Sequence, residues 1–296
     1  MASIRLAVCS DLHNEFEYPT PPRRPTKAWE ELKALRESTE GHPSVGPFWG
    51  GLRGAVDLIV MAGDIDVGRR GIDYADEVST FLGVPVVIVA GNHEAYGQDI
   101  DRLIADMREA ARGTSGRVLF LENETAAFAF GNRRLHVLGT CLWTDYTLGG
   151  DRPDDVVWAM MEAGRGLNDH VHIRSRGGKF TPSDARERHE TARRWIEGEI
   201  ARIRAAGDGD MIMVVTHHAP IPDAIPPRYS GGKLSPAFAS DLRREIAAWR
   251  PEAWLWGHTH FSMVTEVGGT RLISSQRGYI GLEPGADEYA PLIMEI

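Results

Sequence analysis

The sequence predicts an α/β protein in which two β-sheets pack together and helices lie on the outside. Short apolar, β-branched runs, which are typical of buried strands, recur along the whole chain. Segments with the helical period of apolar residues lie between several of these runs, and such alternation favours an α/β fold. The regions 117–142 and 261–296 are instead rich in strands, and a second sheet accommodates them.

The individual elements follow from these two periodicities. The runs that predict strands are 4–9, 57–61, 84–90, 135–138, 211–216, 254–256, 270–274 and 292–296. The segments that predict helices are 28–37, 74–82, 100–111, 183–206 and 236–249. The stretches 18–26, 41–54 and 144–181 are rich in proline or glycine. We therefore predict a single domain over residues 1–296 with an irregular insertion at about 144–182, because long loops in compact domains are usually functional or disordered.

Charge and size limit the classes of function. The 296 residues include 33 basic and 42 acidic side chains, which give a formal net charge of −9. This balance argues against a protein that mainly binds nucleic acid, whereas a small phosphorylated substrate remains compatible with a local cation. A chain of this length buries enough surface to fold without a structural metal, so a metal site here is expected to be functional.

The cysteines and the first apolar run indicate a cytoplasmic protein with no membrane partner. Cys9 and Cys141 are too few for a disulfide framework, and we expect both to be reduced and structural. Arg5 interrupts the first apolar run and Asp11 ends it, which does not fit a signal peptide. No run approaches the 18 apolar residues of a membrane span.

Polar side chains follow five of the predicted strands at the point where each strand ends. In chain order they are Asp11 and His13; Asp64; Asn92, His93 and Glu94; His217 and His218; and His258 and His260. In α/β sheets, ligands bind at the carboxyl ends of the strands. Each motif alone has an ordinary alternative, such as a helix cap, a turn or a core histidine. Five such motifs at the ends of five strands together indicate a metal site.

The types of side chain indicate which metals and which chemistry. Two carboxylates, one amide oxygen and four imidazoles, without a thiolate, suit manganese, iron, zinc or cobalt better than calcium. Seven ligands exceed the needs of one catalytic metal. If one carboxylate bridges, they make eight bonds, four for each of two metals. Such a pair polarises phosphoryl oxygens and generates hydroxide near neutral pH.

These motifs resemble the calcineurin-like metallophosphoesterase superfamily in order and spacing from residue 4 to about 262. The resemblance implies an α/β (α+β) fold, a four-layer αββα sandwich of two mixed β-sheets flanked by helices. It implies a cofactor of two transition-metal ions, manganese, iron or zinc, between two sets of ligands joined by Asp64. The first set is Asp11, His13 and His260, and the second is Asn92, His217 and His258. His93 matches the histidine that faces the substrate in that superfamily.

One departure from the family concerns the carboxylate that orients this histidine. The protein phosphatases of the superfamily place a second aspartate three residues after the bridging one, whereas here Asp66 comes one position early. The partner of His93 therefore stays open, and a protein Ser/Thr phosphatase is disfavoured. The stretch 167–182 and the tail after Arg277 resemble a bacterial branch of the superfamily. We expect Asn168, Asp169 and Arg277 to contact the substrate.

The predicted function is hydrolysis of small organic phosphate esters, either monoesters or diesters, by hydroxide held on the metals. A cyclic-nucleotide or glycerophosphodiester phosphodiesterase is the alternative of the same class. A non-catalytic metal-binding scaffold of the same fold is the alternative of another class, although this chain keeps all seven ligands and His93. The sequence leaves the substrate and the oligomeric state open.

Overall fold

The computed structural model describes residues 3–17, 47–131, 133–207 and 209–296. The stretch 18–26, the predicted helix 28–37 and residues 41–46 of the stretch 41–54 lie outside these residues. None of the helices in the described ranges is long and apolar enough to cross a membrane.

The first sheet contains five strands in the order β13-β1-β2-β3-β4. Strands β1 to β4 are parallel, and β13 pairs antiparallel with β1 at the edge. Their bounds are β1 Arg5–Cys9, β2 Leu58–Met61, β3 Val86–Ile88, β4 Val118–Phe120 and β13 Leu292–Glu295. The carboxyl ends of the four parallel strands therefore lie along one edge.

The second sheet contains six strands in the order β11-β12-β10-β9-β6-β5. The four inner strands β12, β10, β9 and β6 are parallel, and β11 and β5 are antiparallel edge strands. The bounds are β5 Glu124–Phe130, β6 Arg133–Thr140, β9 Met211–Thr216, β10 Ala253–Trp256, β11 Met263–Val267 and β12 Thr270–Ser274. A short hairpin, β7 Arg174–Ser175 and β8 Gly178–Lys179, stands apart.

The helices cover the outer faces of the two sheets. Those that pack on the first sheet are α3 Arg70–Leu82 and α4 Ile100–Gly113. Another helix, α5 Pro153–Gly166, packs against the helix that spans Pro182–Ala205. Those that pack on the second sheet are α7 Pro182–Ala205 and α8 Arg243–Trp249. Three shorter helices are α1 Asn14–Glu17, α2 Pro47–Gly50 and α6 Asp169–His172.

Alternating side chains along each strand separate the layers. Leu6 and Val8 of β1 pack with Val215 and Leu255 of the second sheet, whereas Cys9 faces the helices. Side chains in a strand point to opposite faces with a period of two, and every strand buried on both faces must be apolar throughout. The predicted four-layer sandwich of two mixed sheets between helices is confirmed.

The prediction of an irregular insertion at 144–182 is wrong. This segment contains the 14-residue helix α5, the short helix α6 and the β7–β8 hairpin. Pro153 lies in the first turn of α5 and acidic side chains follow it, which favours a helix start. Gly164 and Gly166 sit in the last turn of the same helix, where a Cβ atom would press against Pro182 and Leu234. These glycines permit close packing.

Both cysteines are reduced and buried, as predicted, and burial raises the pKa of each thiol. Trp254 and Trp256 are fully buried core residues on the helix-covered face of β10. The two indoles differ in one respect. Trp254 Nε1 donates a 3.0 Å hydrogen bond to Thr216 Oγ1, whereas Trp256 Nε1 has no hydrogen-bond partner among the described residues.

This difference predicts unequal effects of the same substitution. Trp254→Phe should lower the free energy of unfolding by about 1 kcal/mol more than Trp256→Phe, because only Trp254 loses a hydrogen bond, while Thr216 Oγ1 keeps its bond to the His218 carbonyl oxygen. Urea unfolding of the two variants measures the difference, and each serves as the other's control for lost volume. A larger cost at Trp256 would contradict the assignment.

Candidate metal centre

Five loops from the two sheets meet at one point. They follow β1, β2 and β3 of the first sheet and β9 and β10 of the second. Because parallel strands end at the same edge, the loops bring all eight side chains of the predicted centre together. These are Asp11, His13, Asp64, Asn92, His93, His217, His258 and His260, and all except the partly buried His260 are buried.

The side chains form two sets on either side of Asp64. In the first set, His13 Nε2 lies 3.0 Å from His260 Nε2, which lies 3.5 Å from Asp11 Oδ1. The ligand atoms of these three residues all lie within 4.8 Å of one another. Such spacing suits a shared cation.

The second set contains His217, His258 and Asn92. His217 Nε2 lies 3.0 Å from Asn92 Oδ1 and 3.4 Å from Asp64 Oδ1, and His258 has a ligand atom in the same cluster. The other oxygen of Asp64, Oδ2, lies 3.9 Å from His13 Nε2 in the first set. One carboxylate therefore faces both sets, as the resemblance implies for a bridging ligand.

The outward nitrogens of three imidazoles are held by fixed acceptors. His13 Nδ1 lies 3.1 Å from Glu15 Oε1, His260 Nδ1 lies 2.7 Å from Glu283 Oε2, and His217 Nδ1 lies 2.8 Å from the carbonyl oxygen of residue 62. These oxygens accept hydrogen bonds, so in the neutral imidazole Nδ1 carries the proton and Nε2 offers a lone pair. Metal-bound histidines are oriented in this way. The residues therefore fit cations that prefer nitrogen and oxygen ligands.

The carboxylates give this centre a strong preference for positive charge. Burial alone would lower the pKa of His260, but Asp11 and Glu283 raise it to about 10. In the same way, burial lowers the pKa of His217 and Asp64 raises it to about 9. In the metal-free protein, protons supply the positive charge, and a bound metal ion would displace them.

Glu94 ties together the loops that carry Asp64 and Asn92. Its buried carboxylate accepts hydrogen bonds from the backbone N–H groups of Asp64 at 3.0 Å, Ile65 at 2.8 Å and Gly91 at 2.7 Å. Burial and the Asp64 carboxylate raise the pKa of Glu94 to about 8. A cation beside Asp64 therefore favours the ionised form. No sequence motif indicates this structural role.

Five of the proposed ligands have a strained backbone. Asp11, His13, Asp64, His258 and His260 have φ angles of 53°, 50°, 53°, 74° and 49°, all in the left-handed region. This conformation costs a non-glycine residue about 1 to 2 kcal/mol. Strain of this kind collects at functional sites, where the surrounding structure enforces it.

Glu15 is the carboxylate that contacts His93. His93 Nδ1 lies 2.9 Å from Glu15 Oε1, and Nε2 lies 3.4 Å from the Tyr279 hydroxyl. Burial lowers the pKa of His93, but the carboxylates of Asp64 and Glu15 raise it by more. Asp66, which lies one position before the second aspartate of the protein phosphatases, accepts a 2.8 Å hydrogen bond from Arg70 Nε at the start of α3. The only sequence signal for Glu15 is its position two residues after a ligand.

The three residues predicted to contact the substrate lie in different places. Asn168 is exposed and lines the cavity described below. The Asp169 carboxylate also lies at that cavity, but it accepts a 2.9 Å hydrogen bond from Asn92 Nδ2. Arg277 Nε donates to the carbonyl oxygen of Ala286 at 3.3 Å, and Arg277 is not among the residues that line the cavity. Its expected contact with a phosphate has no support here.

Four other histidines of the described ranges have structural contacts. His218 is buried, its ring lies 4.1 Å from that of the proposed ligand His258, and its pKa is lowered by burial. His136, near the start of the inner strand β6, pairs with Asp210 just before β9 at 2.9 Å. His170 and His189 each face a backbone carbonyl.

A cavity of about 680 Å³ opens above the two sets of ligands. Asp64, Asn92, His258 and His260 belong to its lining. Its walls include the apolar side chains of Leu167, Ile225, Pro226, Leu234 and Phe238. Two cations also line it, and both are paired: Arg228 lies 3.8 Å from Glu283, and Lys233 lies 2.6 Å from Glu162.

Two mixed sheets between helices, with carboxylates, an amide and imidazoles at the strand ends, define a candidate metallohydrolase of the αββα class. The sequence model for calcineurin-like phosphoesterases matches residues 4–262, and the chain belongs to this family. A search of the curated proteins found no match.

The chain is similar to solved structures at low sequence identity. The phosphopantetheinyl hydrolase of Mycobacterium tuberculosis is 16% identical with a TM-score of 0.58, and the match covers 98% of this chain and 99% of that one. A putative 5'-nucleotidase of Staphylococcus aureus is 11% identical with a TM-score of 0.44, covering 99% of this chain and 53% of that one. The anchor protein GAP50 of the Plasmodium inner membrane complex is 13% identical with a TM-score of 0.47, covering 94% and 73%.

The contacts of Glu94 predict a stability effect. Glu94→Gln should lower the free energy of unfolding by about 1 to 3 kcal/mol, because the new amide turns a donor toward backbone N–H groups that need an acceptor. Urea unfolding of the metal-free protein above pH 8 measures this cost, and Glu109→Gln on the exposed face of α4 is the control. A Glu94 variant as stable as the parent would contradict the role.

Proposed function

We propose that this chain hydrolyses phosphate esters of small organic molecules with two transition-metal ions held on either side of Asp64. The observation that carries the proposal is that the two oxygens of Asp64 face Nε2 of His13 and Nε2 of His217, with His260 Nε2 beside His13. The Nδ1 atoms of all three imidazoles are anchored. Bound there, the two cations would polarise phosphoryl oxygens and lower the pKa of water.

His93 supplies the proton for the departing oxygen. Glu15 holds Nδ1, so Nε2 is the nitrogen directed at the Tyr279 hydroxyl and the cavity. The neighbouring carboxylates favour the doubly protonated imidazole, which can release a proton from Nε2. A positioned histidine of this kind contributes about 10² to 10⁴ in rate.

The cavity walls support a substrate with one phosphoryl group and an uncharged organic part. Apolar side chains such as Leu234 and Phe238 face the space above the ligands, and the cations Arg228 and Lys233 are paired with carboxylates. A volume of about 680 Å³ is in the range of sites for drug-sized ligands. These features favour an ester with an organic part of that size over a polyanion.

The proposal is tested with metal-free protein loaded with Mn²⁺. Turnover of p-nitrophenyl phosphate and bis(p-nitrophenyl) phosphate separates monoesters from diesters. Cyclic nucleotides, glycerophosphodiesters and a phosphopantetheinyl ester, the group named for the mycobacterial hydrolase, complete the panel. Asp64→Ala should lose most metal and nearly all activity, whereas Asp66→Asn, two residues away, should keep both. Fewer than two metals per chain, together with no turnover of any ester, would favour the alternative of a non-catalytic metal-binding scaffold.

The role of His93 predicts a dependence on the leaving group. His93→Ala should lose far more activity on an alkyl phosphate than on p-nitrophenyl phosphate, because an alkoxide needs a proton and nitrophenolate departs nearly unaided. Steady-state kinetics on the two esters at equal metal content measure the ratio, with His136→Ala as the control. Equal losses on both esters would instead assign His93 to positioning or phosphate binding.

A further inference from the structure

A buried carboxylate from the segment 144–182 lies against the proposed ligand Asn92. Asp169, at the start of α6, is 6% exposed, and its Oδ1 accepts a 2.9 Å hydrogen bond from Asn92 Nδ2. The other end of the amide, Oδ1, lies 3.0 Å from His217 Nε2. The amide therefore spans the space between Asp169 and the second set of ligands.

The carboxylate determines which end of the amide faces the metal position. An ionised carboxylate accepts hydrogen bonds only, so it selects the NH₂ end of Asn92 and leaves the oxygen for the centre. With the amide rotated by half a turn, Asn92 would present two N–H donors to a cation and its oxygen to Asp169. Both contacts would be repulsive.

The same carboxylate oxygen holds Tyr96, which supports His93. The Tyr96 hydroxyl donates a 2.8 Å hydrogen bond to Asp169 Oδ1, and its ring stacks on His93 at 4.3 Å between centroids with an interplanar angle of 27°. Burial and the Asp169 carboxylate raise the pKa of Tyr96, so the phenol stays protonated and donates. Asp169 thus contacts the proposed ligand Asn92 directly, and it contacts Tyr96, whose ring stacks on His93.

Backbone hydrogen bonds fix α6 in this position. Gly97 N donates to the His172 carbonyl oxygen at 2.9 Å, and Arg174 N donates to the Gln98 carbonyl oxygen at 2.8 Å. These bonds join the last residue of α6 and the first residue of β7 to the loop that follows Tyr96. The carboxylate is therefore held in place by the backbone and not only by its own two contacts.

We propose that Asp169 is a positioning residue that sets the amide of Asn92 for the second metal and, through Tyr96, the imidazole plane of His93. The proposal rests on the proposed function, in which Asn92 is a ligand and His93 donates a proton. It places a residue expected to bind substrate in the support of the metal centre instead.

The test is a Mn²⁺ titration of the metal-free full chain, with free Mn²⁺ followed by its electron paramagnetic resonance signal. The parent should bind two ions. Asp169→Ala should weaken one of the two sites by about 10 to 100-fold, the usual cost of removing a group that orients a ligand, and leave the other unchanged. Asn168→Ala, the exposed neighbour that also lines the cavity, should bind both ions like the parent.

Two further variants separate positioning from folding. Asp169→Asn is isosteric but neutral, and only one of its two amide orientations turns an oxygen toward Asn92 and Tyr96, so an intermediate loss at the same single site is expected. Tyr96→Phe keeps the ring and should leave both sites nearly intact while lowering turnover of an alkyl phosphate. The thermal unfolding of the metal-free variants reports a merely structural effect.

The outcomes are distinct. If the parent binds two ions and both Asp169 variants bind them equally well, the positioning role is overturned while the proposed function stands. Equal weakening of both sites, together with a lower unfolding temperature, would assign Asp169 to folding and also overturns it. If the parent itself binds no metal, the proposed function fails. Should Asp169→Ala not fold, the isosteric Asp169→Asn decides alone.

Discussion

The structure depends on the need for positive charge at the point where the two sheets' loops meet. Nε2 of His13 and Nε2 of His260 face each other beside the Asp11 carboxylate, and Nε2 of His217 faces the Asp64 carboxylate, all within a buried space. Buried groups of one sign are costly unless an opposite charge lies between them. Raised imidazole pKa values are the response of the metal-free protein, and a pair of cations would satisfy the same requirement without protons.

The backbone around this point brings together ligands that lie far apart in the sequence. Glycines allow the loops to touch: at Gly91 a Cβ atom would overlap Asp64 Oδ1, and at Gly257 it would lie 2.7 Å from Asp11 Oδ2. Neighbouring ligands adopt left-handed φ angles that are unfavourable on their own. The three backbone hydrogen bonds to Glu94 offset part of that cost by joining two of the loops. The centre is therefore assembled by the fold before any cation binds.

Local patterns predicted the sheets and the strand ends well, because burial on both faces leaves a continuous apolar run that stops where the polar ligand follows. The 270–274 strand matches the observed β12, and the polar residues after β1, β2, β3, β9 and β10 all reach the centre. Helix α5 was missed because Gly164 and Gly166 resemble loop residues until their packing partners are known.

The groups that orient the ligands could not be predicted from local patterns. Glu283 reaches His260 from a turn with no periodicity, and Glu94 acts on backbone groups that no motif encodes. The carboxylate beside His93 stayed open because Asp66 departs from the spacing of the protein phosphatases, and the structure shows Glu15 in that place. Asp169 was predicted as a substrate contact, and only the structure places its carboxylate against Asn92. Such partners depend on tertiary geometry.

The central claim is that the chain holds two metal ions bridged by Asp64. Anomalous diffraction from crystals of the Mn²⁺-loaded protein, measured on both sides of the manganese edge, tests it most directly. The account predicts two peaks about 3.5 to 4 Å apart, one beside His13 and His260, the other beside Asn92 and His217, with Asp64 between them. A single peak, or two peaks that do not share Asp64, would contradict the account.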